Sequence, residues 1–170
     1  LCEIYMELQE KKANNINLVT PGQFLPHIIE GVKSARMQGL RLPIVYNTGS
    51  YEKVDTVKML EGIVDIYLPD FKYMSAQLAK AYSKAEDYPK MAKAAIAEMV
   101  RQQPKPVFQW ENPARKEKVR VEAVEGAVMT KGVIVRQLLL PGSLADAKKI
   151  VLYLHETYGD RIYISLMNQY

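Results

Sequence analysis

The feature that most constrains this chain is a change of hydrophobic period that repeats along its length. Apolar residues recur at helical spacing, then run together over a few positions, then return to helical spacing. From Leu1 to about Lys12, residues Leu1, Ile4, Tyr5 and Leu8 share one helix face, and Asn14-Asn15 stops it. Ile16–Thr20 is a short β-prone run. A second helix starts near Gln23 with Leu25, Ile28, Ile29, Val32 and Ala35 on one side, and Gly39 is placed to cap its end. Pro43–Asn47 reads as a second strand and Tyr51–Leu60 as a short helix. Ile63–Leu68 is a third strand. Ser75–Ser83 and Tyr88–Gln102 are helices, with Ser75 as N-cap of the first and Pro89 in the first turn of the second. Val133–Leu140 is a continuous apolar strand, Ser143–Tyr158 a helix and Ile162–Met167 a last strand.

Strands alternating with helices through short loops require crossover connections, hence a parallel sheet and an α/β fold. An open doubly wound sheet and a barrel both satisfy that pattern. No G-x-G-x-x-G follows the first strand, so the dinucleotide-binding form of the open sheet has no support. One segment, Gln103–Lys131, breaks the rhythm. It holds three prolines, Trp110 and an alternating stretch (Val119, Val121, Ala123) that suits a β-hairpin inserted into the repeat.

The bulk properties exclude several classes. With 170 residues, 48% apolar and 25% charged, the chain has the makings of one ordinary globular domain. No apolar run approaches the length of a membrane span. The net charge of +4 sits mostly in Arg115, Lys116, Lys118 and Arg120, interleaved with Glu117 and Glu122, which reads as a solvated hairpin face and not as a nucleic-acid patch. Cys2 is the only cysteine, so an internal disulfide is impossible, and a reducing, cytoplasmic location is expected. Its place on an apolar helix face suggests a buried structural thiol. His27 and His155 stand beside no metal-ligand pattern.

In parallel α/β folds the ligand sits at the carboxyl ends of the strands. Those ends carry Thr20-Pro21-Gly22, Asn47-Thr48-Gly49, Asp70-Phe71-Lys72, Arg136 before Pro141-Gly142, and Asn168-Gln169-Tyr170. Asp70 and Lys72 are two apart on an extended segment and point the same way. They suit the two charges of an amino acid, or a private salt bridge. Arg136 is a permanent charge in an apolar strand, which costs several kcal/mol unless an anion pairs with it. A bound carboxylate or Asp70 would serve. Asn47-Thr48-Gly49 either admits a ligand close to the backbone or forms a turn and helix cap.

The stretches Asn15–Pro21 (NINLVTP), Pro43–Gly49 (PIVYNTG), Leu60–Tyr73 (LEGIVDIYLPDFKY) and Val133–Gly142 (VIVRQLLLPG) resemble the proteins related to pyruvate formate-lyase-activating enzymes, in the radical S-adenosylmethionine superfamily. The resemblance runs from Leu1 to Tyr170 outside the insertion, and LEGIVDIYLPDFKY is its most specific part. It implies a single domain over 1–170 forming a partial TIM-like barrel, with the first strand and the cluster loop missing. The family carries a [4Fe–4S] cluster on a C-x3-C-x2-C loop, and the cluster and S-adenosylmethionine together generate a 5′-deoxyadenosyl radical that abstracts hydrogen from a protein glycine or a small molecule. The implied partners are a glycyl radical enzyme or a small substrate, and an electron donor such as flavodoxin or ferredoxin. No nucleic acid and no membrane partner is implied.

Carried over by position, Asp70 and Lys72 match the Asp-x-Lys that lines the S-adenosylmethionine site. Asn47 and Thr48 match an Asp-Thr pair of the activating enzymes, with Asn in place of Asp, and Arg136 matches the arginine near the Pro-Gly that is Pro141-Gly142 here. Gln169 or Tyr170 falls near a cofactor-contacting histidine, and neither is one. The cysteine triplet is absent, and Thr20-Pro21-Gly22 stands where Gly-Gly-Glu is expected, so this chain alone is expected to be inactive. Two other readings stay open. Lys72 could be the Schiff-base lysine of a barrel aldolase or lyase, or the chain could be a non-catalytic remnant that binds a partner.

Overall fold

The computed structural model describes residues 1–110 and 127–168. Its elements follow the alternation closely. The helices are α1 (Cys2–Glu10), α2 (Leu25–Met37), α3 (Val54–Lys58), α4 (Ala76–Ser83), α5 (Tyr88–Gln102) and α6 (Leu144–Tyr158). The strands are β1 (Ile16–Val19), β2 (Ile44–Thr48), β3 (Ile66–Pro69), β4 (Val107–Trp110), β5 (Ala127–Leu138) and β6 (Tyr163–Met167). Ser75 caps α4 as expected, its Oγ accepting the Leu78 N–H at 3.3 Å. Gly39 takes φ +96° just past α2, a conformation that costs glycine little, and Leu40 N–H returns to the Ala35 carbonyl.

The parallel strands lie in the order β1-β2-β3-β5, and β6 pairs β5 beyond them. Each new strand is thus added on the same side of the one before it. With right-handed crossovers that order sends every connecting helix to the same face, whereas a doubly wound sheet reverses direction and covers both. The packing agrees. Ile16, Ile44, Tyr46, Tyr67, Val133 and Val135 point to the helices and form one core with Val32, Ile96, Met99 and Ile150. The alternate residues Val45 and Ile66 are buried but stand outside that core, and their neighbours Asn47, Leu68, Ile134 and Arg136 are only half-buried. The sheet is open, and no pairing joins β1 to β6 among the described residues.

The insertion is a hairpin at its base. β4 runs antiparallel to the first part of β5. The alternating stretch Val119–Ala123 and the basic residues 115–120 lie outside the described residues, as do Gln169 and Tyr170. β5 therefore begins at Ala127, six positions before the expected start, because its first part pairs the returning arm. At Gly132 the strand exchanges antiparallel β4 for parallel β3.

Cys2 corrects an expectation: it is half-buried, and Leu1 and Ile4 on the same helix are more than half exposed. The reason is that α1 lies at the flank of the helical layer, where Tyr5 supplies its buried contact with α2. No described helix is long and apolar enough to cross a membrane.

Candidate functional site

Three neighbouring strand ends build one charged cluster on the face away from the helices. Backbone pairing sets the frame. The Asp70 N–H donates to the Thr48 carbonyl at 2.8 Å, and Phe71 N–H donates to the Arg136 carbonyl at 2.8 Å, so Asp70 is stitched to both β2 and β5. Asp70 and Arg136 are direct partners across that junction. Asn47 is in register with Leu68, two residues before Asp70 on the same face, so Asn47 stands one step down the strands from the Asp70–Arg136 pair and faces the same way.

The side chains use that placement. Arg136 donates through Nε to Asp70 Oδ1 at 2.7 Å and through a terminal nitrogen to Asn47 Oδ1 at 2.7 Å. The ion pair closes to 2.6 Å, with the two side chains 22% and 16% exposed. Lys72 Nζ lies 3.7 Å from Asp70 Oδ2 and is 36% exposed. A methyl group placed on Gly49 would meet Lys72 Nζ at 3.8 Å, so the ammonium rests over the glycine of the β2 loop. Asp70, Lys72, Arg136 and Asn47 thus converge, and the arginine finds the anion that its apolar strand demanded.

Thr48 does not join them. β2 runs through Thr48, one residue beyond the expected strand end, so its side chain faces the helices opposite to Asn47. It is buried, and its Oγ1 donates to Glu52 Oε1 at 2.7 Å, where Tyr46 also donates at 3.0 Å. Burial first, and the Glu52 carboxylate next, push the Tyr46 phenol well above its ordinary range. This trio fixes the loop after β2. Ser50, at φ +64° and fully buried, closes the turn by donating its N–H to Thr48 Oγ1 at 3.2 Å.

Two supports of the cluster gave no signal in the sequence. Asp146, in the first turn of α6, accepts the Met74 N–H at 2.8 Å and so anchors the loop that carries Lys72. Tyr88, at the start of α5, hydrogen-bonds the backbone of the loops that follow β2 and β3. Their partners are backbone groups far away in the chain, and no residue pattern marks such contacts.

Chemically, the cluster holds two cations against one carboxylate. Arg136 is spent on Asp70 and Asn47, which leaves the charge of Lys72 as the surplus, partly exposed and aimed at the uncovered face. A partly exposed surplus cation of this kind can pair with an anion. For an iron–sulfur cluster the chain does not fit: Cys2 is one thiolate where three are needed, and it sits on α1. Among the described residues, no three His, Cys, Asp or Glu side chains are grouped to hold a metal ion. His27 and His155 are exposed.

Over 76 residues, 45% of its length, the chain is 32% identical to an uncharacterized protein of Methanocaldococcus jannaschii, and the match covers 22% of that protein. The chain therefore spans about a fifth of that relative. No family model and no solved structure matches the chain.

Proposed function

We propose that this chain is the S-adenosylmethionine-binding part of a radical enzyme related to the pyruvate formate-lyase-activating enzymes. Its sheet is then a portion of a partial barrel, with the uncovered face as the lumen. The observation that carries the reading is the surplus ammonium of Lys72 beside the closed Asp70–Arg136–Asn47 triad, at the carboxyl ends of three parallel strands. Lys72 would hold the carboxylate of the ligand's amino-acid end, and Asp70, already braced by Arg136, would keep Lys72 in place. Bound together with a cluster that delivers one electron, S-adenosylmethionine would lose methionine and supply a carbon radical able to remove hydrogen from a substrate. The cluster's cysteines would come from outside this chain, and so would the contact usually made by Gly-Gly-Glu.

Winding in one direction supports the barrel reading over a doubly wound sheet. The aldolase reading is weaker, because a Schiff-base lysine is activated by burial or by an unneutralised neighbouring cation, whereas Lys72 is a third exposed and shares the Asp70 carboxylate with Arg136. Titration calorimetry with S-adenosylhomocysteine, which carries the same amino-acid end, tests the proposal. The protein should bind it, and Lys72→Ala should weaken binding about tenfold, the worth of one charge-assisted contact. No binding, or equal binding by the variant, overturns the reading.

A further inference from the structure

Tyr88 is 3% exposed and opens α5 next to Pro89. Its ring packs among Tyr73, Tyr51 and Phe71, with centroids at 5.4, 6.1 and 6.5 Å. A phenylalanine would satisfy that packing. The hydroxyl does something more. It accepts the Lys72 backbone N–H at 3.0 Å, and its one proton lies within reach of two carbonyls, Asp70 at 2.9 Å and Gly49 at 3.0 Å.

Those three backbone groups belong to two loops. Gly49 follows β2 and is the surface on which the Lys72 ammonium rests; Asp70 and Lys72 follow β3. That one hydroxyl therefore adds, beyond the Asp70 N–H bond to the Thr48 carbonyl, a side-chain link between the two sides of the site. Burial first, with the Asp70 charge adding to it, pushes the phenol above its ordinary range, so it stays protonated and keeps its donor role near neutral pH. A second tie runs beside it: the Tyr51 hydroxyl donates to Asp87 Oδ1 at 2.6 Å, joining the same β2 loop to the residue before α5.

We propose that Tyr88 is a positioning residue for the ligand site, its hydroxyl bracing the Gly49 and Asp70–Lys72 loops so that the Lys72 ammonium is held where a ligand carboxylate meets it. This rests on the reading of the site as one for an amino-acid carboxylate. Without the hydroxyl the two loops lose their common partner, and the ordering of Lys72 must then be met by ligand binding itself.

Tyr88→Phe deletes the hydroxyl and keeps the ring. Calorimetry with S-adenosylhomocysteine compares the unmodified protein, Tyr88→Phe, Lys72→Ala and the double variant. Tyr88→Phe should weaken binding about tenfold alone, and less than about twofold in the Lys72→Ala background, because it acts through Lys72. Amide exchange followed by mass spectrometry should show Lys72 N–H exchanging faster in Tyr88→Phe, with the middle of α5 as protected as before. Equal losses in both backgrounds, no loss, or unchanged exchange at Lys72 overturns the role of Tyr88 and leaves the site reading standing. Absence of binding by the unmodified protein overturns both.

Discussion

Arg136 and Lys72 are both cations on Asp70, yet their surroundings assign them different work. Arg136 donates to Asp70 and Asn47 from a strand and is the more enclosed of the two. Lys72 makes one longer contact and is the more exposed. Removing Arg136 strands a carboxylate that is mostly out of water, so Arg136→Ala should lower stability by about 1–3 kcal/mol in urea denaturation. Lys72→Ala should change stability by no more than about 0.5 kcal/mol, as exposed pairs do. If the two variants lose equal stability, the division between a structural arginine and a ligand-facing lysine is wrong. An interior arginine announces its need for an anion, which is why the pairing with Asp70 was legible in the sequence. Thr48 was not: whether a strand ends before or after one residue decides which face that residue takes, and period alone does not fix a boundary that finely.

At the scale of elements, the changes of hydrophobic period located the six α-helices of the described residues, and β1, β2, β3 and β6, to within a few residues. The start of β5 escaped, because Ala127–Lys131 pairs with the inserted arm and carries no alternation of its own. Gly132 is the hinge of that exchange. Its φ of +141° is one that side-chain-bearing residues rarely adopt, and an added Cβ would lie 3.1 Å from Pro106 Cα and 3.2 Å from Met129 Sδ. Its N–H also donates to the Asp65 carbonyl at 3.0 Å, holding β5 against β3 just as the antiparallel pairing stops. Gly132→Ala should therefore destabilise the protein by about 1–3 kcal/mol, the usual cost of a strained backbone position, with a matching drop in the urea midpoint. An unchanged midpoint would mean that the arm of β4 moves aside freely.

For the molecule as a whole, the direction of winding matters more than any one contact. Strands added in one sense put the helices on one face and leave a half-buried face on which Asn47, Asp70 and Arg136 meet. That arrangement was only partly legible in the sequence: alternation called for a parallel sheet, but the choice between one-way and two-way winding depends on which strands are neighbours. The proposed function has this face holding S-adenosylmethionine in a radical enzyme. Its most direct test uses the polypeptide extended ahead of Leu1 to include the cysteine loop that the proposal requires, reconstituted anaerobically with iron and sulfide. Given S-adenosylmethionine and a strong reductant, it should release 5′-deoxyadenosine, and Lys72→Ala should release about tenfold less at limiting S-adenosylmethionine, with the same iron content. A reconstituted protein that holds its iron and releases no 5′-deoxyadenosine would mean that this face does not serve a radical enzyme.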